Sequence, residues 1–473
     1  VPNAEYQSRG GVRGLKWDKM PETESDFSAG IASFKVPFVA HEIGQYCVFP
    51  NFDEIKKYTG VYRAKNFEMF RQDLQDHHMG DQAKDFLNAS GKLQLLCYKN
   101  EIEKILRTPG YGGFQALGLQ DFPGQGTALV GALDAFFQEK GYATAQDYSR
   151  FCNETVPLAK IQKFVYSNNE TFKAEIALFH SGKTPLQNAI IGWTIKNEKG
   201  NVLSSGNFNP KTFENGNGQF AGNLDFALSE IKEPSKLNLE VKVNGTAFVN
   251  DWNFWVYPEK NPENTSAVYY TANLDDKAKE VLDKGGKVFL NAAGKVVKGK
   301  EVEMHFLPVF WNTSWFKMRP PHVTGMLIQE KSPAFTDFPT SYHSDLQWWD
   351  IQNRSQVMNL EDFPADFRPL IQPIDTWFMN RRLALVFEAK VGNGTIIVSS
   401  ADIGPDVQNK PSAKQLFYSL QKYMNSDKFN PKNKLDFEVI KDVFTSPSRE
   451  VFKTYTKDSP DELKPNSNQN KVK

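Results

Sequence analysis

The chain has 473 residues, and its 56 Lys+Arg balance 56 Asp+Glu. At about 150 residues per domain this is roughly three domains, and a formal charge of zero excludes a protein that lives on phosphate contacts, such as a nucleic-acid binder. A hydrophobic fraction of 40% excludes a disordered chain, and 3 cysteines exclude a disulfide framework.

Three textures follow one another. The first, residues 1–158, opens with the loop Arg9-Gly10-Gly11-Val12-Arg13-Gly14 and an apolar strand from Val36 to Ala40. A helical stretch over 66–76 precedes a long helix over 82–106, whose apolar residues recur at helical spacing until Thr108-Pro109-Gly110 ends it. A second strand over 113–119 completes a βαβ pattern, which implies parallel pairing. Residues 159–260 alternate apolar and polar in strict period two, as at Phe172, Ala174, Ile176 and Leu178, and again at Leu237, Leu239, Val241 and Val243. That pattern predicts half-buried antiparallel strands in a domain the size of an immunoglobulin-like sandwich. After the linker 257–262, residues 261–445 read as an open, flavodoxin-like α/β domain. Its strands are expected at 267–270 and 287–290, a hairpin turns at Gly392-Asn393-Gly394, and a helix over 412–424 starts from a Ser412/Gln415 capping box. Residues 446–473 form a polar tail, expected to be disordered.

No apolar run approaches the ~18 residues of a membrane span. The chain starts at Val1 without a signal peptide, so it is expected to be a processed product or the later part of a longer polypeptide.

The histidines and cysteines offer no metal-ligand spacing, and no metal or cofactor is expected. His41-Glu42-Ile43-Gly44-Gln45 begins like a zinc-protease motif, but Gln45 stands where the second histidine belongs. Position is more informative. Glu42 follows an apolar strand at its carboxyl end, where parallel α/β folds place catalytic groups; an ordinary solvated glutamate fits the same place. Gln120-Asp121 ends the next strand, and there Asp121 is either a pocket residue or a turn former before Phe122-Pro123-Gly124. Aromatics make up 13% of the chain and suit sugar stacking as well as large cores. Trp17 and Tyr111 are candidate platforms or packing residues.

Three segments carry a resemblance: Pro37 to Tyr46, Thr108 to Gln115, and Leu119 to Gly126. Together they resemble the carboxyl half of the catalytic domain of glycoside hydrolase family 2, most closely the polysaccharide-degrading members common in Bacteroidetes. The resemblance implies that residues 1–158 are the C-terminal part of a (β/α)8 TIM barrel, followed by accessory domains. It implies a retaining exo-glycosidase similar to β-galactosidases, with Glu42 as nucleophile. His41, Gln45, Tyr46, Gln115, Gln120 and Asp121 would be substrate-binding neighbours. The substrate would be an oligosaccharide or polysaccharide, and the location periplasmic or secreted. The Asn-Glu pair that supplies the family's acid/base is missing here, so that residue would come from an N-terminal portion outside this chain. A non-catalytic carbohydrate-binding or scaffold protein is the alternative.

Overall fold

The computed structural model describes residue 15 and residues 17–262, 267–316, 321–404, 407 and 410–453. The loop at 9–14 and the tail beyond 453 lie outside the described residues.

The first segment contains β1 (Phe38–Ile43), the helix Ala83–Arg107 and β2 (Tyr111–Ala116). The helix buries Phe86, Leu87, Leu93, Cys97, Ile102, Ile105 and Leu106, the stripe that its 3.6-residue period prescribes. It ends where Thr108 turns extended. β1 and β2 pair in parallel, Phe38 opposite Tyr111 and Ala40 opposite Phe114, with a register shift between Ala40 and Ile43.

The expected barrel is not there. β1 and β2 form a sheet of two strands, and among the described residues the strands divide into six sheets of two to six strands with no (β/α)8 closure. The parallel pair follows from the βαβ pattern. Closing a barrel needs further parallel strands on both edges, and the described residues flanking this pair bring none.

The chain next runs through β3 (Thr155–Lys160), β4 (Val165–Ser167), β5 (Thr171–His180), β6 (Leu186–Ala189), β7 (Ile191–Asn197), β8 (Val202–Asn207), β9 (Lys211–Phe213), β10 (Gly216–Ala227), β11 (Ser235–Val243) and β12 (Val249–Tyr257). One sheet has the order β10-β5-β3, and a second the order β4-β12-β11-β7-β8. Alternation puts Phe172, Ile176, Leu237, Leu239 and Phe254 inside. Phe172 and Phe254 stack across the two sheets with ring centroids 4.1 Å apart. β4 joins β12 in parallel, a departure from all-antiparallel pairing. β6 and β9 make a separate antiparallel pair.

The third segment holds β13 (Val268–Thr271), β14 (Lys287–Asn291), β15 (Met326–Ile328), β16 (Met358–Asn359), β17 (Ile371–Pro373), β18 (Leu383–Ala384), β19 (Val386–Val391) and β20 (Gly394–Ser399). Its six-stranded sheet, β13-β14-β20-β19-β17-β15, is parallel only from β13 to β20. The β19–β20 hairpin reverses the direction, so the sheet is mixed and a flavodoxin-like fold is corrected as well. Residues just past 445 are tied down: Arg449 bonds Asp362, and Glu450 reaches His77 at 3.2 Å.

The core is shared. One apolar cluster runs from Phe38 and Ile105 through Phe254 to Trp348 and Ile371. Polar ties follow the same route: Trp252 Nε1 donates to Glu103 at 3.0 Å, and Gln82 Nε2 donates to Gln372 at 2.8 Å. Among the described residues no helix is long and apolar enough to cross a membrane.

Candidate functional site

The carboxyl end of β1 is unusual backbone. Glu42 has φ +55° and Gly44 has φ +77°, so the chain leaves the strand through two left-handed positions. Gly44 is required there, because a Cβ would lie 2.0 Å from the Tyr98 ring. Glu42 has a Cβ and carries the cost of that conformation, of order 1–2 kcal/mol. The register shift beside it turns the side chain out of the strand's alternation, as bulges do.

Three of the expected neighbours gather around it. His41 Nδ1 lies 2.9 Å from Gln115 Oε1, which joins the ends of β1 and β2. An amide oxygen only accepts, so Nδ1 carries a proton and Nε2 faces Glu42, 3.9 Å from its carboxylate. Both side chains are about half exposed, so the pair contributes little stability. Gln45 Nε2 donates to the Glu42 carbonyl at 3.3 Å, while Gln45 Oε1 accepts from Trp311 Nε1 at 2.9 Å.

The other residues sit elsewhere. Tyr46 is buried, donating to Glu101 at 2.7 Å, and Glu101 also accepts from the Gly44 N–H at 3.1 Å. Burial first, then the Glu101 charge, pushes the Tyr46 phenol well above its ordinary range. Asp121 is buried too. It accepts from Lys140 at 2.7 Å and from the Gly131 N–H at 2.9 Å. Burial raises its carboxyl against the pull of Lys140. Gln120 is half-buried, with its backbone bridged to Leu133. Tyr111 packs in the core against Phe38, and Trp17 against Phe306.

Sequence reasoning passed over Glu101 and Trp311. Glu101 had a signal: it is a charge at a buried position between Tyr98 and Ile102 of the long helix. Trp311 comes from the third segment, and no local pattern links it to Gln45. Among the described residues no group of three or more His, Cys, Asp or Glu could hold a metal.

Two family models match, each described as a domain of unknown function: DUF8488 over residues 170–258 and DUF8487 over residues 269–445. No curated protein matches the chain. Among solved structures, a β-glucuronidase of Parabacteroides merdae is similar at 10% identity and TM-score 0.18, over 30% of this chain and 22% of its own. An exo-chitosanase of Amycolatopsis orientalis is similar at 11% identity and TM-score 0.23, over 40% of this chain and 21% of its own. A CARDB domain from Pyrococcus furiosus matches 22% of this chain and 94% of its own, at 12% identity and TM-score 0.18. The chain thus spans about a fifth of either enzyme, and these scores are too low to assign even a shared fold.

Proposed function

We propose that the chain is part of a retaining glycosidase similar to glycoside hydrolase family 2, with Glu42 as its nucleophile. The observation that carries the reading is the half-exposed carboxylate of Glu42, held at φ +55° where any glycine would sit without strain. The sequence resemblance around Pro37–Tyr46 and Leu119–Gly126 supports it.

In this reading Glu42 attacks the anomeric carbon and the bond to the departing sugar breaks. A second carboxyl group, about 5–5.5 Å away, protonates the leaving oxygen and later activates water. That group is supplied from outside this chain. His41, tied to Gln115, stands beside the Glu42 carboxylate, and Gln45 with Trp311 holds the backbone beneath it.

Trapping tests the reading. The complete protein is incubated with a panel of 2-deoxy-2-fluoro glycosides, digested and mapped by mass spectrometry. A label on the peptide containing Glu42 supports the assignment, and a label elsewhere refutes it. Glycan binding without label or turnover favours a non-catalytic carbohydrate-binding protein.

A further inference from the structure

A second site lies away from the Glu42 cluster. A cleft of about 690 Å³ opens between residues 54–67 and residues 121–136. Its base includes Glu54, which is 0% exposed. Neither carboxylate oxygen of Glu54 meets a hydrogen-bond partner of normal geometry, although the Ala135 backbone N–H favours its ionised form. The other charges there are matched: Asp121 with Lys140, Asp134 with Lys57, and Arg63 with Glu68. A buried carboxylate without a counter-charge of its own is costly to ionise, and a bound cation would offset that cost.

The walls are aromatic. Tyr58 and Phe136 meet edge to face with centroids 4.9 Å apart, and Phe122 and Tyr62 are 52% and 84% exposed. Phe136 already carries an ammonium on its ring, that of Lys57, 5.8 Å from the centroid. Rings over a buried negative charge are the pattern that recognises organic cations. Because Glu54 is closed off from solvent, a primary ammonium could not hydrogen-bond it directly. A quaternary ammonium needs no such bond: it rests on ring faces and feels the carboxylate through space.

We propose that this cleft binds a quaternary ammonium group, with the aromatic walls as its contact surface and Glu54 as its counter-charge. The proposal stands apart from the glycosidase reading, because it is read as binding and shares none of the residues gathered at Glu42. Burial, with Asp121 and Asp134 adding to it and Lys140 opposing, raises the Glu54 carboxyl to about 7. Affinity should therefore increase as pH rises from 6 to 8.

Choline is the probe, and its uncharged isostere 3,3-dimethyl-1-butanol is the control, both titrated calorimetrically into the full chain. The expected result is choline binding that exceeds the isostere at least tenfold and falls at least tenfold in Glu54→Gln. Phe122→Ala, an exposed ring whose loss spares the core, should also weaken binding severalfold, and it decides the matter if Glu54→Gln does not fold. No choline binding at millimolar concentration overturns the proposal. So does equal binding of the isostere, or affinity unchanged in the folded variants.

Discussion

Lys140 donates to the Asp121 carboxylate across 2.7 Å, with both side chains almost wholly buried. Its surroundings complete the bond: Lys140 also donates to the Gly131 carbonyl at 2.8 Å, and Gly131 returns its N–H to Asp121. Asp121 therefore closes the loop 121–140 on itself.

Removing one partner of such a pair leaves the other charge buried and uncompensated. Asp121→Asn should lower unfolding stability by about 3–5 kcal/mol, measured by urea denaturation. A loss below about 1 kcal/mol would show that water reaches Lys140.

Gly131 is fixed by contact. A Cβ there would lie 2.2 Å from the Gln120 carbonyl carbon and 2.3 Å from the Asp121 nitrogen, both rigid backbone. Gly131→Ala should cost at least about 1–3 kcal/mol and loosen the Gln120–Leu133 bridge. Thermal melts check the cost, and amide exchange at residue 121 checks the loosening.

Glu54 makes stability depend on pH. Its carboxyl titrates near 7 in the fold against an ordinary 4.5, so between those values the folded state holds a proton the unfolded state has lost. Stability from this group is present below pH 4.5 and is lost as pH rises through 7, by at most about 3 kcal/mol. Asp345, raised to about 7 by burial, acts in the same direction. His343, lowered to about 4 by burial, acts oppositely, costing stability as pH falls from 6.5 toward 4. Glu54→Gln removes the first effect alone, so its melting temperature relative to wild type should climb from pH 5 to pH 8. A constant difference across that range would contradict it.

The strain at Glu42 predicts an inverse relation between stability and function. Glu42→Gly accepts φ +55° without strain, so it should stabilise the fold by about 0.5–1 kcal/mol. A stabilised protein that no longer turns over is the expected pair of results. Destabilisation would show that the side chain packs for structure.

Local pattern reached as far as local forces decide. The stripe from Phe86 to Leu106 set the long helix, and the period-two runs around Ile176 and Leu239 set antiparallel strands. The capping box did not form: the helix begins at Pro411, and Gln415 instead donates to the Asp337 carbonyl at 2.7 Å. A tertiary partner won over the local one. The barrel failed for a larger reason. The resemblance rests on short segments at strand ends, and those residues do not determine how many strands pair with β1 and β2. The site divided in the same way. His41, Glu42, Gln45 and Gln115 meet because β1 and β2 are parallel, a consequence of the βαβ pattern. The fate of Asp121 depended on Lys140, 19 residues on, and no spacing rule pairs them.

The most direct test of the central claim is the rate of aryl β-glycoside hydrolysis by Glu42→Gln in the complete protein. Losing a nucleophile should reduce turnover by at least about 10⁴-fold, while the melting temperature stays within a few degrees of wild type. Turnover within a few-fold of wild type by that folded variant would contradict the assignment of Glu42.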